Sequence, residues 1–385
     1  MKVSSIQKTP YYSWKIGALA KGCQECVKGN KLVLFITGLC SKRCFFCPIS
    51  DQKWLKDDVY ANEWKVKSDK DIIEEAKLTD AKGAGFTGGD PLVRFERTIR
   101  YIRLLKKKFG KDFHIHLYTP LELLNFEKLK KLYEAGLDEI RFHPDLENRI
   151  HWNKIKLAKN FKWKTGIEIP AIPGFEKKIK ELIDFSKDQI DFLNINELEM
   201  SDTNMNKLVD RGFRTKNNLS YGVRGSDYLA KKLLKYSIGK INNVHYCTCT
   251  LKDKIQMANR IKKRAKNIAL SFDKISNYGT LIRGVIYQKD LIPGFNYRKK
   301  IWNLKNNKKK EMRIIRKLNN IKTKLYKKYA ITKNNIIIDT IKYRLIINQK
   351  ILNKIKENIK KEGLIPAIIE EYPTHDSFEI EINFI

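Results

Sequence analysis

Between residue 31 and about residue 200, short apolar runs alternate with amphipathic stretches six times, and that order leaves few folds open. A strand, a helix and a second strand make a right-handed crossover, so repetition builds a parallel sheet covered by helices. The predicted strands are residues 31–37, 83–87, 114–119, 138–143, 165–172 and 191–200. One helix is signalled by Ser68 and Asp69 as caps ahead of Ile72, Ile73, Ala76 and Ala81. A second carries Phe95, Ile99, Ile102 and Leu105 and is closed by Gly110; a third carries Leu124, Leu129, Leu132 and Ala135 and is closed by Gly136. A weaker helix at 146–160 and one carrying Ile179, Leu182, Ile183 and Phe185 complete the set. The fold class expected is α/β: a (βα)6 full or partial barrel, with ligands at the C-terminal ends of its strands.

The rhythm stops near residue 205. The segment to about 290 holds the pentapeptide HYCTC and a helix bearing Ile255, Met257, Ala258 and Ile261, and is expected to pack onto the barrel. From Arg298 to Lys328 there are fourteen Lys or Arg and one acid, Glu311, while Ile314, Leu318, Ile321 and Leu325 form an apolar stripe. This is a basic amphipathic helix. Residues 334–385 read as strand, strand, helix, strand, strand, a small α+β module. The expected division is therefore 1–30 as an N-terminal extension, 31–204 as barrel, 205–297 as accessory segment, and 298–385 as basic helix plus module. No run of roughly 18 apolar residues occurs and the N-terminus lacks the apolar stretch of a secretion signal, so a cytoplasmic location with no membrane partner is expected.

All seven cysteines fall into tight local sets with metal-ligand spacing, which suits a reducing compartment better than a disulfide framework. In GLCSKRCFFCP, Cys40, Cys44 and Cys47 stand just past the first strand. Three thiolates on one loop can hold a cubane [4Fe–4S] cluster and leave its fourth iron without a protein ligand. The competing reading is a structural zinc site with its fourth thiol from elsewhere, although closed zinc sites usually pair two C-x2-C knuckles.

At this triplet the chain resembles the radical S-adenosylmethionine superfamily, whose signature C-x3-C-x-aromatic-C follows the first strand of a (βα)6 partial barrel; Phe46 holds the aromatic position. The resemblance implies a [4Fe–4S] cluster and S-adenosylmethionine, whose methionine amine and carboxylate chelate the open iron. It also implies reductive cleavage to a 5′-deoxyadenosyl radical, hydrogen abstraction from a substrate, and an electron donor such as ferredoxin or flavodoxin. Gly88, Gly89 and Asp90, followed by Pro91, stand where the family carries a Gly-Gly-Glu-Pro-like motif that meets the methionine amino group. Two glycines let the backbone approach, and an acid suits an ammonium; here Asp replaces Glu. On the fifth strand Ile172 and Gly174 fall in register with the family's adenine segment, whereas Pro170 replaces its first glycine and Glu176 lies one residue early. Glu168, Asn194, Asn196 and Glu197 either line the barrel mouth or act as structural hydrogen bonders. Over residues 31–200 the likeness is to archaeal members of the superfamily related to pyruvate-formate-lyase-activating enzymes.

Cys23 and Cys26, followed by Gly29, have the C-x2-C-x2-G form of a metal knuckle, which Cys247 and Cys249 could complete, with His245 as a substitute ligand. Zinc, a second iron–sulfur cluster and unliganded thiols all remain open for this group. The net charge of +35 draws polyanions, RNA first, or records an A+T-rich genome's lysines on solvated faces. Three functions compete: a radical enzyme on RNA, bound through the basic helix and the cations at 260–266; a radical enzyme on a protein or peptide; and a nucleic-acid-binding protein with a structural or redox-sensing cluster.

Overall fold

The computed structural model describes residues 5–385 and divides into two compact units, residues up to Arg260 and Ile261–Ile385. In the first, an eleven-stranded sheet is built on seven parallel strands: β1 (Lys31–Phe35), β2 (Gly83–Thr87), β3 (His114–Thr119), β4 (Glu139–Phe142), β5 (Lys164–Ala171), β6 (Phe192–Glu197) and β7 (Val244–Cys247), side by side in that order. The hairpin Trp14–Ile16 with Gln7–Lys8 pairs antiparallel along β7, and the hairpin Tyr60–Ala61 with Trp64–Lys65 along β1, so the sheet stays open. The sequence reading stopped at six parallel strands. The seventh lies beyond the helix Ser226–Ser237 and is only four residues, VHYC, too short and too polar to register as an apolar run.

Each parallel strand puts its branched and aromatic side chains toward the covering helices: Leu32, Leu34, Phe86, Ile115, Leu117 and Ile167 are fully buried in one core. The opposite face is polar or glycine. The register sets Gly85 beside His116, His116 beside Glu139, Tyr118 beside Arg141, Glu168 beside Asn194, and Asn196 beside Cys247. A pleated strand alternates faces with period two, so all of these point into the barrel interior.

The helix α1 (Lys21–Val27) packs into that interior. Gly22 N–H donates to Glu139 Oε2 at 3.0 Å, and a Cβ on Gly22 would stand 2.4 Å from Arg141 Nη2 and 2.7 Å from His116 Nδ1. Only glycine admits this approach. Gly29, at φ +67°, ends the segment with its α-carbon against the Asn259–Arg260 backbone. The C-x2-C-x2-G sequence is thus a helix and its stop, and Cys23 and Cys26 share one helical face at i, i+3.

Arg141, 2% exposed, organises this interior. It donates through Nε to Glu139 Oε1 at 2.6 Å and through Nη1 to Glu168 Oε2 at 2.8 Å and Tyr118 Oη at 2.9 Å; Nη2 reaches Cys23 Sγ at 3.5 Å. One guanidinium thus serves two buried carboxylates. Removing it strands both charges, so Arg141→Leu is expected to lose about 3–5 kcal/mol in denaturant unfolding, the scale for breaking a buried ion pair from one side.

The second unit is an antiparallel sheet. Its central strand β8 (Leu281–Gln288) is flanked by β10 (Arg344–Ile347) and then β9 (Ile336–Asp339) on one side, and by β11 (Leu364–Glu371) and then β12 (Glu379–Phe384) on the other. The expected strands 336–384 and their helix Gln349–Lys361 are present. The strand β8 was left in the accessory segment, yet it pairs with β10 and β11, so the division falls at Arg260 and Ile261 rather than near 297. The basic helix forms as Tyr297–Lys305 and then α2 (Lys308–Tyr329), with Leu318 and Leu325 buried in this unit's core.

Candidate functional site

A cavity of about 460 Å³ opens at the C-terminal ends of the parallel strands. Its wall includes Cys40, Cys44, Cys47, Phe46, Gly88 and Gly89. The loop carrying the thiols is fixed from both sides. Gly38 exchanges backbone hydrogen bonds with Leu55 and Lys56, while Gly89 N–H and Asp90 N–H donate to the Thr37 and Leu39 carbonyls at 2.8 and 2.9 Å. The Asn204 amide donates to the Phe46 carbonyl at 3.0 Å. Gly88, at φ +140°, and Gly89 are required here, because a Cβ would stand 2.4 Å from the Thr37 carbonyl oxygen at the first and 2.2 Å from that of Leu39 at the second.

All seven cysteines are free, and Cys40, Cys44 and Cys47 are each half-buried. Burial pushes Cys40 up to about 11 and Cys44 up to about 12, and raises Cys47 as well. The thiols are therefore protonated alone, and a metal centre that binds them must displace protons. Among the described residues no three Cys, His, Asp or Glu converge as they would on a single ion. A cubane takes each thiolate on a different iron and so needs wider spacing, which three thiols spread along one loop and facing one cavity can provide. Lys42, within the loop, is held by Asp145 at 2.6 Å and Glu122 at 3.2 Å.

The other expected residues divide. Glu168 lines the cavity; burial pushes its carboxyl up, but Arg141 and the Asn194 and Asn196 amides outweigh this and hold it below the usual range. Asn194 sits behind it, buried, donating to Glu168 Oε2 at 2.8 Å. Ile172 is fully buried in the helix-facing core and is not part of the cavity wall. Asp90 turns away from the cavity. Its Oδ1 accepts from Leu92 N–H and Thr119 Oγ1, both at 2.9 Å, capping the turn Pro91–Arg94, while Oδ2 has no partner. An acid two residues after Gly88 was expected to face an ammonium; the extended backbone at Asp90 aims it into the turn instead.

The four remaining cysteines stand on α1 and at the end of β7. Cys23 and Cys26 face the interior and Cys247 shares an apolar pocket with Val27 and Leu251, but Cys249 Sγ turns to Glu199 at 3.8 Å and His245 pairs with Ser13. Glu197 is buried and accepts from Cys249 N–H at 2.9 Å. The sequence reading missed Lys31, His116, Tyr118, His143, Lys252 and Gln256, which all line the cavity. The alternation in HIHLYT puts His116 and Tyr118 on one face, but nothing in it says that the face is an interior. Lys252 and Gln256 come from a π-helical turn, Lys252–Met257, a distortion common at functional sites.

The Radical SAM superfamily model matches residues 34–186. A Methanocaldococcus jannaschii protein, provisionally named a glycyl-radical enzyme activating enzyme, is 38% identical over 99% of this chain and 96% of its own. Among solved structures, methylornithine synthase is similar at 16% identity and a TM-score of 0.38, over 57% of this chain and 70% of its own. Coproporphyrinogen III oxidase from Escherichia coli is similar at 11% identity and a TM-score of 0.33, over 57% of this chain and 56% of its own. The chain belongs to the radical S-adenosylmethionine superfamily, whose enzymes use a [4Fe–4S] cluster and S-adenosylmethionine. Among the described residues no helix is long and apolar enough to cross a membrane.

Burial raises the Asp90 carboxyl to about 6. A folded pKa above the unfolded value of about 3.9 contributes stability fully at low pH and loses it as pH rises through about 6. Asparagine can accept the same two hydrogen bonds without the charge. Thermal melts between pH 4 and 8 are expected to show wild type losing on the order of 2–3 kcal/mol relative to Asp90→Asn over that rise.

Proposed function

We propose that this radical enzyme holds its [4Fe–4S] cluster through Cys40, Cys44 and Cys47, receives the methionine end of S-adenosylmethionine along the Gly88 and Gly89 backbone, and acts on RNA. The observation that carries the first part is that the three thiols, Phe46 and both glycines face a single cavity at the strand ends. When bound, the reduced cluster supplies the electron that cleaves the sulfonium. The chain's own part is positional. Glycines at 88 and 89 let the end of β2 close against the Thr37 and Leu39 carbonyls of the thiol loop, and Lys42 brings a cation to that loop. Glu168, held ionised by Arg141, offers a fixed acceptor on the cavity wall. Seven free thiols suit a reducing cytoplasm.

Charge distribution supports RNA. The second unit carries 29 Lys or Arg against 11 Asp or Glu in 125 residues, a net +18, whereas the first 260 carry a net +17. Genome-wide drift would spread the excess evenly. Several of the second unit's acids are also spent inside it: Asp273, Asp339, Glu371 and Glu379 bind Arg283 or Arg344. On α2, ten cations face outward or to the rim, and among the described residues only Lys328 has an ion pair, with Glu362. Lys289, Lys317, Lys324, Lys327 and Lys328 line a depression of about 920 Å³. The Methanocaldococcus relative's name favours a second reading, a glycyl-radical protein as substrate.

After anaerobic reconstitution and reduction, wild type is expected to form 5′-deoxyadenosine from S-adenosylmethionine and Cys44→Ala to form none, read by chromatography; equal yields would dismiss the triplet as the cluster ligands. For the substrate, RNA affinity is expected to fall steeply with salt. Changing Lys317, Lys324 and Lys327 together to Ala should reduce the log–log slope by about 2, at about 0.7 per phosphate contact on a single strand. A chain that binds RNA no more tightly than a neutral polymer returns the case to a protein substrate.

A further inference from the structure

The cavity has a fourth thiol that the cluster does not need. Cys26 lines the same wall system as Cys40, Cys44 and Cys47, brought there from α1 on the barrel's interior face. It is half-buried, whereas Cys23 on the same helical face is buried against Arg141 and Asn194, whose amide reaches its sulfur at 3.3 Å. Close by on that wall stands His116, 1% exposed, whose Nδ1 has no hydrogen-bond partner. That nitrogen lies against Gly22 of α1, where a Cβ would stand 2.7 Å from it.

Two ordinary roles for Cys26 do not fit its surroundings. Cys26 is not in a disulfide. A nucleophilic cysteine must ionise, and burial pushes this thiol up, away from the thiolate, with Glu168 and Glu139 adding to it against Arg141 and Lys31. What burial preserves is the S–H bond itself. In a cavity that generates carbon radicals, an intact S–H bond is weaker than the C–H bond it can form, so it can give up a hydrogen atom.

We propose that Cys26 is a hydrogen-atom donor to carbon-centred radicals formed in this cavity. The proposal rests on the radical reading of the site. In the step, the Cys26 S–H bond breaks and a C–H bond forms on the carbon, leaving a sulfur-centred radical. One electron, from the low-potential donor that the family's cluster already requires, and one proton from solvent restore the thiol.

The test uses the whole reconstituted chain in deuterium oxide, where thiols exchange to S–D. With S-adenosylmethionine and dithionite but no substrate, the only carbon radical to quench is that of the cleaved nucleoside. Wild type and Cys23→Ala are expected to give 5′-deoxyadenosine one mass unit heavier, and Cys26→Ala to lose that label per molecule formed, whatever the yield. Label that persists in Cys26→Ala, or unlabelled nucleoside from wild type, would overturn the assignment while leaving the radical reading intact. Should no nucleoside form at all, the radical reading fails on its own, and the thiol is judged in the metal-free chain by N-ethylmaleimide and peptide mass mapping. Modification of Cys26 ahead of Cys23 and Cys247 supports an open, cavity-facing thiol, and equal protection of all three sinks it.

Discussion

The buried Arg141 guanidinium is the contact on which the first unit turns. A parallel sheet covered by helices normally fills its barrel interior with branched apolar side chains. Here that face carries Lys31, His116, Tyr118, Glu139, Glu168, Asn194 and Asn196, and such a lining is tolerable only if its charges are paired and its donors used. Arg141 meets that need by binding Glu139 on its own strand, Glu168 on β5 to one side and the Tyr118 hydroxyl on β3 to the other. The arrangement fixes three strands relative to one another, and it leaves Gly22 of α1 as the residue that can close over it.

The same pairing separates two populations of thiol. Those on the loop after β1 are half-buried, flanked by Lys42, and tied down by backbone contacts from Gly89 and Asp90. Those inside the barrel stand among Glu139 and Glu168, which raise the cost of a thiolate on top of burial. Arg141 opposes that cost at both inner thiols, and Lys31 at Cys26, without overcoming burial. Seven cysteines in one chain need not share one chemistry.

Much of this was legible in the sequence, and the failures have specific causes. Apolar periodicity located six parallel strands, the covering helices and nearly all of the C-terminal module, because those elements bury a continuous stripe. It missed β7 and β8 for different reasons. The strand β7 is four residues of VHYC whose polar members face an interior, and β8 lies outside the module it completes, so only pairing with β10 and β11 reveals its place. The cysteine triplet and Gly88-Gly89 were readable because steric need fixes them: three thiols on a loop, and two positions where a Cβ would strike the Thr37 and Leu39 carbonyls. Asp90 was misread because its residue type suits two jobs. Composition cannot tell an acid facing a ligand from one capping a turn; the hydrogen bonds from Leu92 and Thr119 can.

Interior residues such as His116 and Lys31 were invisible for a deeper reason. A period-two pattern reports that two faces differ, and by default the polar one is assigned to water. In this barrel both faces are enclosed, and the polar face is the one that meets a ligand. The distinction is energetic rather than statistical. Lys31, pushed down to about 8 by burial, and His116, held neutral, would relax to ordinary values on a solvated surface. Their displacement records burial among charged neighbours, the setting in which functional sites collect perturbed groups.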